Sequence, residues 1–335
     1  MTLNIENNRF MNIVLATDNN FVQHCTVAML SILRYNKGVH FYILSEGLNI
    51  ENEDYMKQIT KVNSALIDFC KVPSDIIKYF PMSSLASSHI SIATYYRLFM
   101  TSLLPETVNK VIYLDCDMII RGSLDELWNI DLTGYALGAV YQDLGWSDHN
   151  DCWERLRIPR NRGYFNAGCL LVNMEYFRMD NFQERAVSYI NHNFKRIISH
   201  DQDVLNALLY DKTFMLDCKW NFLSGFLSKN ICKSKFPIQC KYIQEITDAR
   251  FEPVIVHFVS KPKPWHYGCR NPYTNEYYFY LRQTRWKDFT PKFDLHQYIN
   301  FVIVPSVKRA IKFFDFFKIT ESRHLQKVRM QYCDE

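Results

Sequence analysis

Met11-Asn-Ile-Val-Leu-Ala16, running into Thr17-Asp18-Asn19-Asn20, has the form of a buried strand that stops in a polar turn. Directly after it, Val22 to Arg34 has helical spacing, with Val27, Leu30 and Leu33 among its apolar positions. His40-Phe-Tyr-Ile-Leu44 reads as a second strand, Glu51 to Asn63 as a second helix, and Ala65 to Phe69 as a third strand. Strand, helix, strand, helix, strand is the alternation of a parallel sheet covered by helices, so the fold class is α/β. Ligands of such sheets bind beyond the carboxyl ends of the strands, so chemistry is sought in the polar residues just after each strand.

Farther along, Ile92 to Leu103 reads as a helix that carries Tyr95, Tyr96 and Arg97 and stops at Pro105. Lys110-Val-Ile-Tyr-Leu114 is a strand ending in Asp115-Cys116-Asp117. A loop region from Asp143 to Gly163, an apolar stretch from Phe165 to Val172 and a helix from Asp201 to Tyr210 follow. Pro253-Val-Ile-Val-His257 is a strand with a polar tip, and the stiff segment Lys261-Pro-Lys-Pro-Trp265 comes soon after.

With 335 residues, 48% hydrophobic and 22% charged, the chain can bury a full core, and disordered, collagenous and membrane-bundle classes drop out. Aromatic residues, at 15%, supply a thick core and a face suited to sugars. The ten cysteines include no C-x-x-C pair, so reduced, mostly buried thiols are expected. Met1 to Arg9 is polar and lacks an apolar signal segment, and the best apolar run, Phe301 to Val304, soon meets Pro305, Lys308 and Arg309. A cytoplasmic chain without a membrane span is the expectation. Net charge is +4, and the segment Pro305 to Met330 carries seven Lys/Arg against Asp315 and Glu321. The body is therefore near neutral, which argues against nucleic acid as a partner and for a basic tail with a partner of its own.

Alternation along a strand would point Asp115 and Asp117 to one side, where both can meet one hard cation. If His257 joins from a neighbouring strand tip, two carboxylates and an imidazole suit Mn²⁺ better than Mg²⁺. Each feature also has a plain structural explanation. Two acids after a strand can be a solvated turn, and a histidine at a strand end can be structural. Gly168 offers the close backbone approach that a bound sugar would require, or is simply a bulge in an edge strand. Asp201, Gln202 and Asp203 open a helix, where carboxylates are favoured simply as caps. Lys263, between two prolines, is either a point charge for phosphate or a solvated lysine, and Arg97 either binds an anion or sugar or lies exposed.

The order of these pieces resembles glycosyltransferase family 8, which includes bacterial lipopolysaccharide glucosyl- and galactosyltransferases and the glycogenins. The matching stretches are Ile13-Val-Leu-Ala-Thr-Asp18, Ala93-Thr-Tyr-Tyr-Arg97, Val111-Ile-Tyr-Leu-Asp-Cys-Asp117, Tyr164-Phe-Asn-Ala-Gly168, His200-Asp-Gln-Asp203 and His257-Phe-Val-Ser-Lys-Pro-Lys-Pro-Trp265. The resemblance implies a single GT-A domain over residues 10–288, with residues 289–335 as a helical basic extension. It implies transfer of galactose or glucose, with retention, from a UDP-hexose to a carbohydrate or glycolipid acceptor of the cell envelope. By the same resemblance Ala16, Asp18 and Asn20 lie near the uridine, Asp115, Asp117 and His257 hold manganese, and Lys263 meets the diphosphate. Arg97, Asn166, Asp201 and Gln202 would face the donor sugar, with Ala167 and Gly168 in the same donor-binding stretch. Gln202, backed by Asp201, is the candidate near the anomeric carbon. Phe21 stands where a tyrosine often stacks on uracil, and Ser260 where a glycine is usual.

Two other classes compete. Val111 to Asp117 also looks like the first motif of haloacid-dehalogenase-type phosphatases, but Ile119 stands where those enzymes carry a hydroxyl. A carbohydrate-binding protein that kept the fold and lost catalysis is the other, and the intact Asp115, Asp117, His257 and Lys263 argue against it. Finally, Val307, Ala310, Ile311, Phe314 and Phe317 fall on one helical stripe with basic residues largely off it. A helix started by Pro305 would then either hold the protein on the anionic inner face of the cytoplasmic membrane or pack its phenylalanines against the catalytic domain, since globular cores use the same stripe.

Overall fold

The structure, a computed structural model, describes residues 10–74, 92–227 and 239–308. The chain divides into two compact units, Met1–Val259 with Glu276–Lys287, and Ser260–Asn275 with Asp288–Glu335. Ser260–Asn275, which carries Lys263, thus groups with the C-terminal segment.

In the first unit the strands begin with β1 (Met11–Ala16), β2 (Val39–Ser45), β3 (Leu66–Lys71), β4 (Lys110–Leu114) and β5 (Met118–Ile120). They continue with β6 (Leu137–Tyr141), β7 (Phe165–Asn173), β8 (Thr213–Met215), β9 (Phe222–Leu223) and β10 (Ile255–His257). A seven-stranded sheet has the order β3-β2-β1-β4-β7-β6-β8, and a three-stranded sheet the order β5-β10-β9. The βαβ pattern is correct for its first four members: β2 pairs with β3, and β1 with β2 and β4, all parallel. Their connections include helices α1 (Val22–Tyr35) and α2 (Ile50–Val62), the latter capped by the Asn49 side chain on the Asn52 amide. The sheet as a whole is mixed, because β7 enters antiparallel between β4 and β6.

That reversal matters for the site. An antiparallel neighbour returns its own beginning to the carboxyl end of β4, and the register pairs Leu114 with Cys169. The chain then leaves the large sheet: Asp115-Cys116-Asp117 is a turn, and Met118 opens β5 in the small sheet opposite His257 of β10. The two aspartates therefore converge at a corner between sheets, not by alternation along one strand as expected.

Two segments differ from their expected form. Residues 92–103 are a 3₁₀ stretch, Ile92–Phe99, followed by one α turn, Met100–Leu103. The expected loop 143–163 folds as short helices at Leu144–His149, Cys152–Leu156 and Arg160–Arg162. Asp143 caps the first, accepting the Trp146 amide at 2.9 Å, and buried Cys152, Trp153 and Leu156 anchor the second. Behind the large sheet, α3 (Phe182–Asn193) and α4 (His200–Leu209) pack into a core with Tyr95, Phe99, Tyr113, Leu170 and Phe177.

In the second unit Tyr267 packs edge-on against Phe293 and Tyr298, with ring centroids 5.2 and 6.0 Å away. The C-terminal helix starts at Asp294, whose side chain accepts the Gln297 amide, and passes through a π turn at Ile299–Ile303. Pro305 thus lies inside a helix that it was expected to start. The wide turn just before it is where a ladder can absorb the N–H that proline lacks. Ala310, Ile311, Phe314 and Phe317 lie outside the described residues. Ser260 adopts φ +65°, the left-handed region in which the family's usual glycine is at ease. Among the described residues seven cysteines are free, five of them buried, and no helix is long and apolar enough to cross a membrane.

Candidate active site

Asp115, Asp117 and His257 present one ligand atom each, all within 4.8 Å of one another. Imidazole Nε2 lies 3.1 Å from Asp117 Oδ1 and 3.8 Å from Asp115 Oδ2. Gly168 explains how the ring gets there. A methyl group at its Cα would meet His257 Cε1 at 2.3 Å and Asp115 Oδ2 at 2.8 Å. The glycine sits in a bulge, for the β6–β7 register jumps from Ala139/Leu170 to Tyr141/Phe165. Asn206 of α4 holds the bulge open by accepting the Phe165 amide at 2.8 Å and donating to its carbonyl at 2.9 Å. The bulge is present, in an interior strand and not the expected edge strand, and the group that approaches Gly168 closely is the His257 ring. Gly168→Ala is expected to push this ring or Asp115 aside and to weaken binding of a divalent cation by these three residues by roughly 10–100-fold. A metal titration identical to wild type would refute that reading of the glycine.

Asp115 is held from behind. Arg97, 3% exposed, donates from Nη2 to Asp115 Oδ1 at 2.8 Å and from Nη1 to the Ala167 carbonyl, and its guanidinium lies 4.2 Å from the Tyr113 ring centroid. Its Nε is 2.8 Å from Asp201 Oδ2 but is aimed at the Thr94 carbonyl at 3.1 Å. Asp201 Oδ2 therefore has a charge contact without a directed hydrogen bond, while Oδ1 accepts from Thr94 Oγ1 at 3.0 Å. Burial opposes the Arg97 charge, but Asp115 and Asp201 outweigh it and raise its pKa. Burial also pushes Asp201 up to about 6, against the pull of Arg97 and with the charge of Asp115 adding to the rise. A carboxyl raised on folding binds more protons folded than unfolded, so its stabilising effect is full below about pH 4 and lost as pH rises through about 6. Wild type should therefore lose stability relative to Asp201→Asn across pH 4–6, as read by urea melts. Parallel pH profiles would rule this out.

The acidic start of α4 divides its labour. Asp203 lies within the first turns and ties down the segment ahead of the helix, its Oδ2 accepting the Ile198 and Ser199 amides at 2.7 and 2.8 Å, while the N-cap Ser199 makes no side-chain cap bond; Asp203 also pairs with Arg155 at 2.6 Å. Gln202 lies over the bulge: Oε1 accepts the Ala167 amide at 3.0 Å and Asn166 Nδ2 at 3.2 Å, and Nε2 donates to Tyr164 Oη at 3.1 Å. Tyr164 gives its own proton to Asp203 Oδ1 at 2.7 Å, so its oxygen must accept from Gln202, which fixes the orientation of the Gln202 amide. Asn166 is equally engaged. Its Oδ1 accepts from the Gly168 amide and from Asn221 Nδ2, and its Nδ2 donates also to Gln142 Oε1.

The sequence profile described as glycosyl transferase family 8 matches residues 12–269. The chain belongs to glycosyltransferase family 8. General stress protein A of Bacillus subtilis is 29% identical over 282 residues, covering 82% of this chain and 94% of that protein. Lipopolysaccharide 1,2-glucosyltransferase of Escherichia coli is 27% identical, covering 86% and 82%. The lipopolysaccharide 1,3-galactosyltransferase of Salmonella typhimurium is 26% identical, covering 76% and 73%. The crystal structure of the galactosyltransferase LgtC with donor and acceptor sugar analogues aligns with a TM-score of 0.74 at 24% identity, over 86% of this chain and 99% of that one. That likeness shows the fold, which is GT-A. The phosphatase reading falls with this assignment, and Ile119, in place of a phosphatase hydroxyl, is buried in the small sheet.

On the family 8 frame, Ala16 ends β1 and Asp18 follows it, and β1 pairs with β4 through Leu15 and Leu114, so these candidates and Asp115 stand at the carboxyl ends of neighbouring strands. Asp18 Oδ1 accepts the Asn20 and Phe21 amides at 2.9 Å, forming the turn that leads into α1. Asn20 is exposed, and Phe21 lies edge-on to His24. Lys263 belongs to the second unit, its ammonium 5.8 Å from the Trp265 ring centroid. Sequence reasoning missed Asn221, Thr94, Tyr113 and Tyr164, which surround the candidates. Asn221 stands next to an apolar strand residue with no motif to mark it, and Tyr113 lies inside a quoted motif whose apolar and aromatic members read only as strand. Thr94 and Tyr164 also lie inside quoted motifs, yet only the fold shows their partners.

Proposed function

We propose that this glycosyltransferase moves galactose or glucose from UDP to a carbohydrate acceptor with retention, using Mn²⁺ held by Asp115, Asp117 and His257. The convergence of those three ligand atoms within 4.8 Å carries the reading. Two carboxylates facing an imidazole nitrogen repel unless positive charge lies among them, and a divalent cation satisfies both acids at once. Oxygen and nitrogen donors together favour Mn²⁺ over Mg²⁺. Bound there, the ion would supply Lewis-acid stabilisation of the UDP leaving group.

The protein's own groups do the rest. Arg97 keeps Asp115 in place, Lys263 meets the diphosphate, and Ala16, Asp18, Asn20 and Phe21 receive the uridine. Gln202 Oε1, held by the Ala167 amide, stabilises positive charge on the far face of the anomeric carbon, with Asp201 behind it. The acceptor hydroxyl enters beside the departing UDP, whose phosphate oxygen takes the hydroxyl proton as the new C–O bond forms, so no separate carboxylate base is required. The names of the E. coli and Salmonella relatives support a lipopolysaccharide or related envelope glycan as acceptor. The test is release of UDP from UDP-galactose and UDP-glucose with Mn²⁺, with and without glycan acceptors, and NMR of the product. Turnover of one donor and an α-linked product are expected. A β-linkage rules out retention, and binding without turnover across a broad acceptor panel returns the catalytically silent reading.

The C-terminal part provides the membrane contact. Phe293, Leu295, Ile299 and Ile303 are 40–63% exposed, and the sequence beyond Val304 adds its basic charge. Each basic residue near anionic lipid contributes about 1 kcal/mol. The full chain is expected to co-sediment with anionic liposomes in a salt-sensitive way, and a version ending at Asn300 is not. Equal binding of both, or of neither, defeats the tail as an anchor.

A further inference from the structure

His257 reaches the carboxylates with Nε2, so what its other nitrogen does decides whether Nε2 offers a lone pair or a proton. Nδ1 is 3.0 Å from Oδ1 of Asn221, a fully buried residue just ahead of β9. The direction of that bond follows from a backbone group whose role is not in question. The Gly168 N–H donates to Asn166 Oδ1 at 2.9 Å, which makes that oxygen an acceptor. Asn221 Nδ2 donates to the same oxygen at 2.8 Å, so the remaining amide atom of Asn221, its oxygen, faces His257. An amide oxygen only accepts, hence Nδ1 carries a hydrogen, and in the neutral ring a metal would need, Nε2 is the nitrogen whose lone pair faces Asp115 and Asp117.

We infer that Asn221 is a positioning residue for metal binding, holding His257 in the tautomer and ring orientation that make Nε2 a ligand. This rests on the metal reading given above. Partners of this kind orient ligating histidines, and their loss typically weakens metal binding by roughly 10–100-fold. The relay is tied to the catalytic side as well, since Asn166 donates on to Gln202 Oε1 at 3.2 Å. Three links, His257 to Asn221 to Asn166 to Gln202, thus join the metal ligand to the candidate at the anomeric carbon.

A purely structural role for a buried asparagine would move stability alone, so the test separates the two. Mn²⁺ affinity of the full-length protein is measured with UDP present, by loss of the free-ion EPR signal, for wild type, Asn221→Ala, Asn221→Asp and Asp117→Ala. Thermal melts of all four run in parallel. Asn221→Ala removes the acceptor and should weaken Mn²⁺ by roughly 10–100-fold. Asn221→Asp keeps an acceptor for Nδ1–H but loses the bond to Asn166. It should melt lower than wild type and still bind Mn²⁺ at least as tightly. Wild-type affinity in the alanine variant, or equal weakening in both variants, overturns the proposal. If the alanine variant does not fold, the aspartate variant decides alone, and weakened Mn²⁺ binding by it in folded form overturns the inference. Wild type that binds no Mn²⁺, or binds it no better than Asp117→Ala, defeats instead the metal reading beneath it.

Discussion

Replacing Asp115, Asp117 or His257 by alanine is expected to lower UDP-hexose turnover about a thousandfold or more, as chelation by EDTA does; Asp117→Ala should do so without lowering the melting temperature of the metal-free protein, whereas Asp115→Ala also strips buried Arg97 of a partner and should melt lower. A Lewis-acid cation contributes several kcal/mol to a transition state that expels a diphosphate, and about 1.4 kcal/mol is a factor of ten in rate. For Asp117→Ala stability should move the other way, because it relieves a cluster of two carboxylates and one imidazole nitrogen, at 3.1 and 3.8 Å, without taking a partner from Arg97. Turnover that persists in EDTA, or an alanine variant that loses activity only because it unfolds, would sink this account.

Arg97→Met is expected to destabilise the fold by about 3–5 kcal/mol, the usual penalty for leaving buried charge unpaired. The guanidinium is 3% exposed, contacts Asp115 and Asp201 at 2.8 Å each, and rests on the Tyr113 ring. Methionine fills much of the volume and restores none of the charge. Adding Asp201→Asn should return part of the lost stability, because the more deeply buried of the two carboxylates is then neutral. Urea denaturation of the single and double variants checks both statements. A loss under about 1 kcal/mol would mean that water reaches the pair and that Arg97 is not the keystone of this corner.

Much of the site was legible before the fold. Apolar runs ending in polar turns located the carboxyl ends of β1, β4 and β10, and the chemistry of Asp115, Asp117 and His257 followed from residue type. Two expectations about how they meet were wrong for local reasons. Alternation presumes that a strand continues, and β4 ends at Leu114. The plain reading of the acidic opening of α4 is a pair of caps, but Asp203 accepts the amides of Ile198 and Ser199 ahead of the helix while Asp201 turns to Arg97.

By itself the sequence determined the α/β class, the order of the first strands and helices, and the three groups suited to a cation. These depend on short-range periodicity and on the chemistry of single side chains, both written in consecutive residues. Only the tertiary structure decided that β7 runs antiparallel beside β4, that a bulge held by Asn206 brings Gly168 under the His257 ring, and that Arg97 is buried between two carboxylates. It alone brought Asn221 to His257 and Asn166 to Gln202, across separations of 36 residues each. The reason is physical: whether a buried amide donates or accepts is set by the backbone groups that reach it, and those come from segments far apart in the chain.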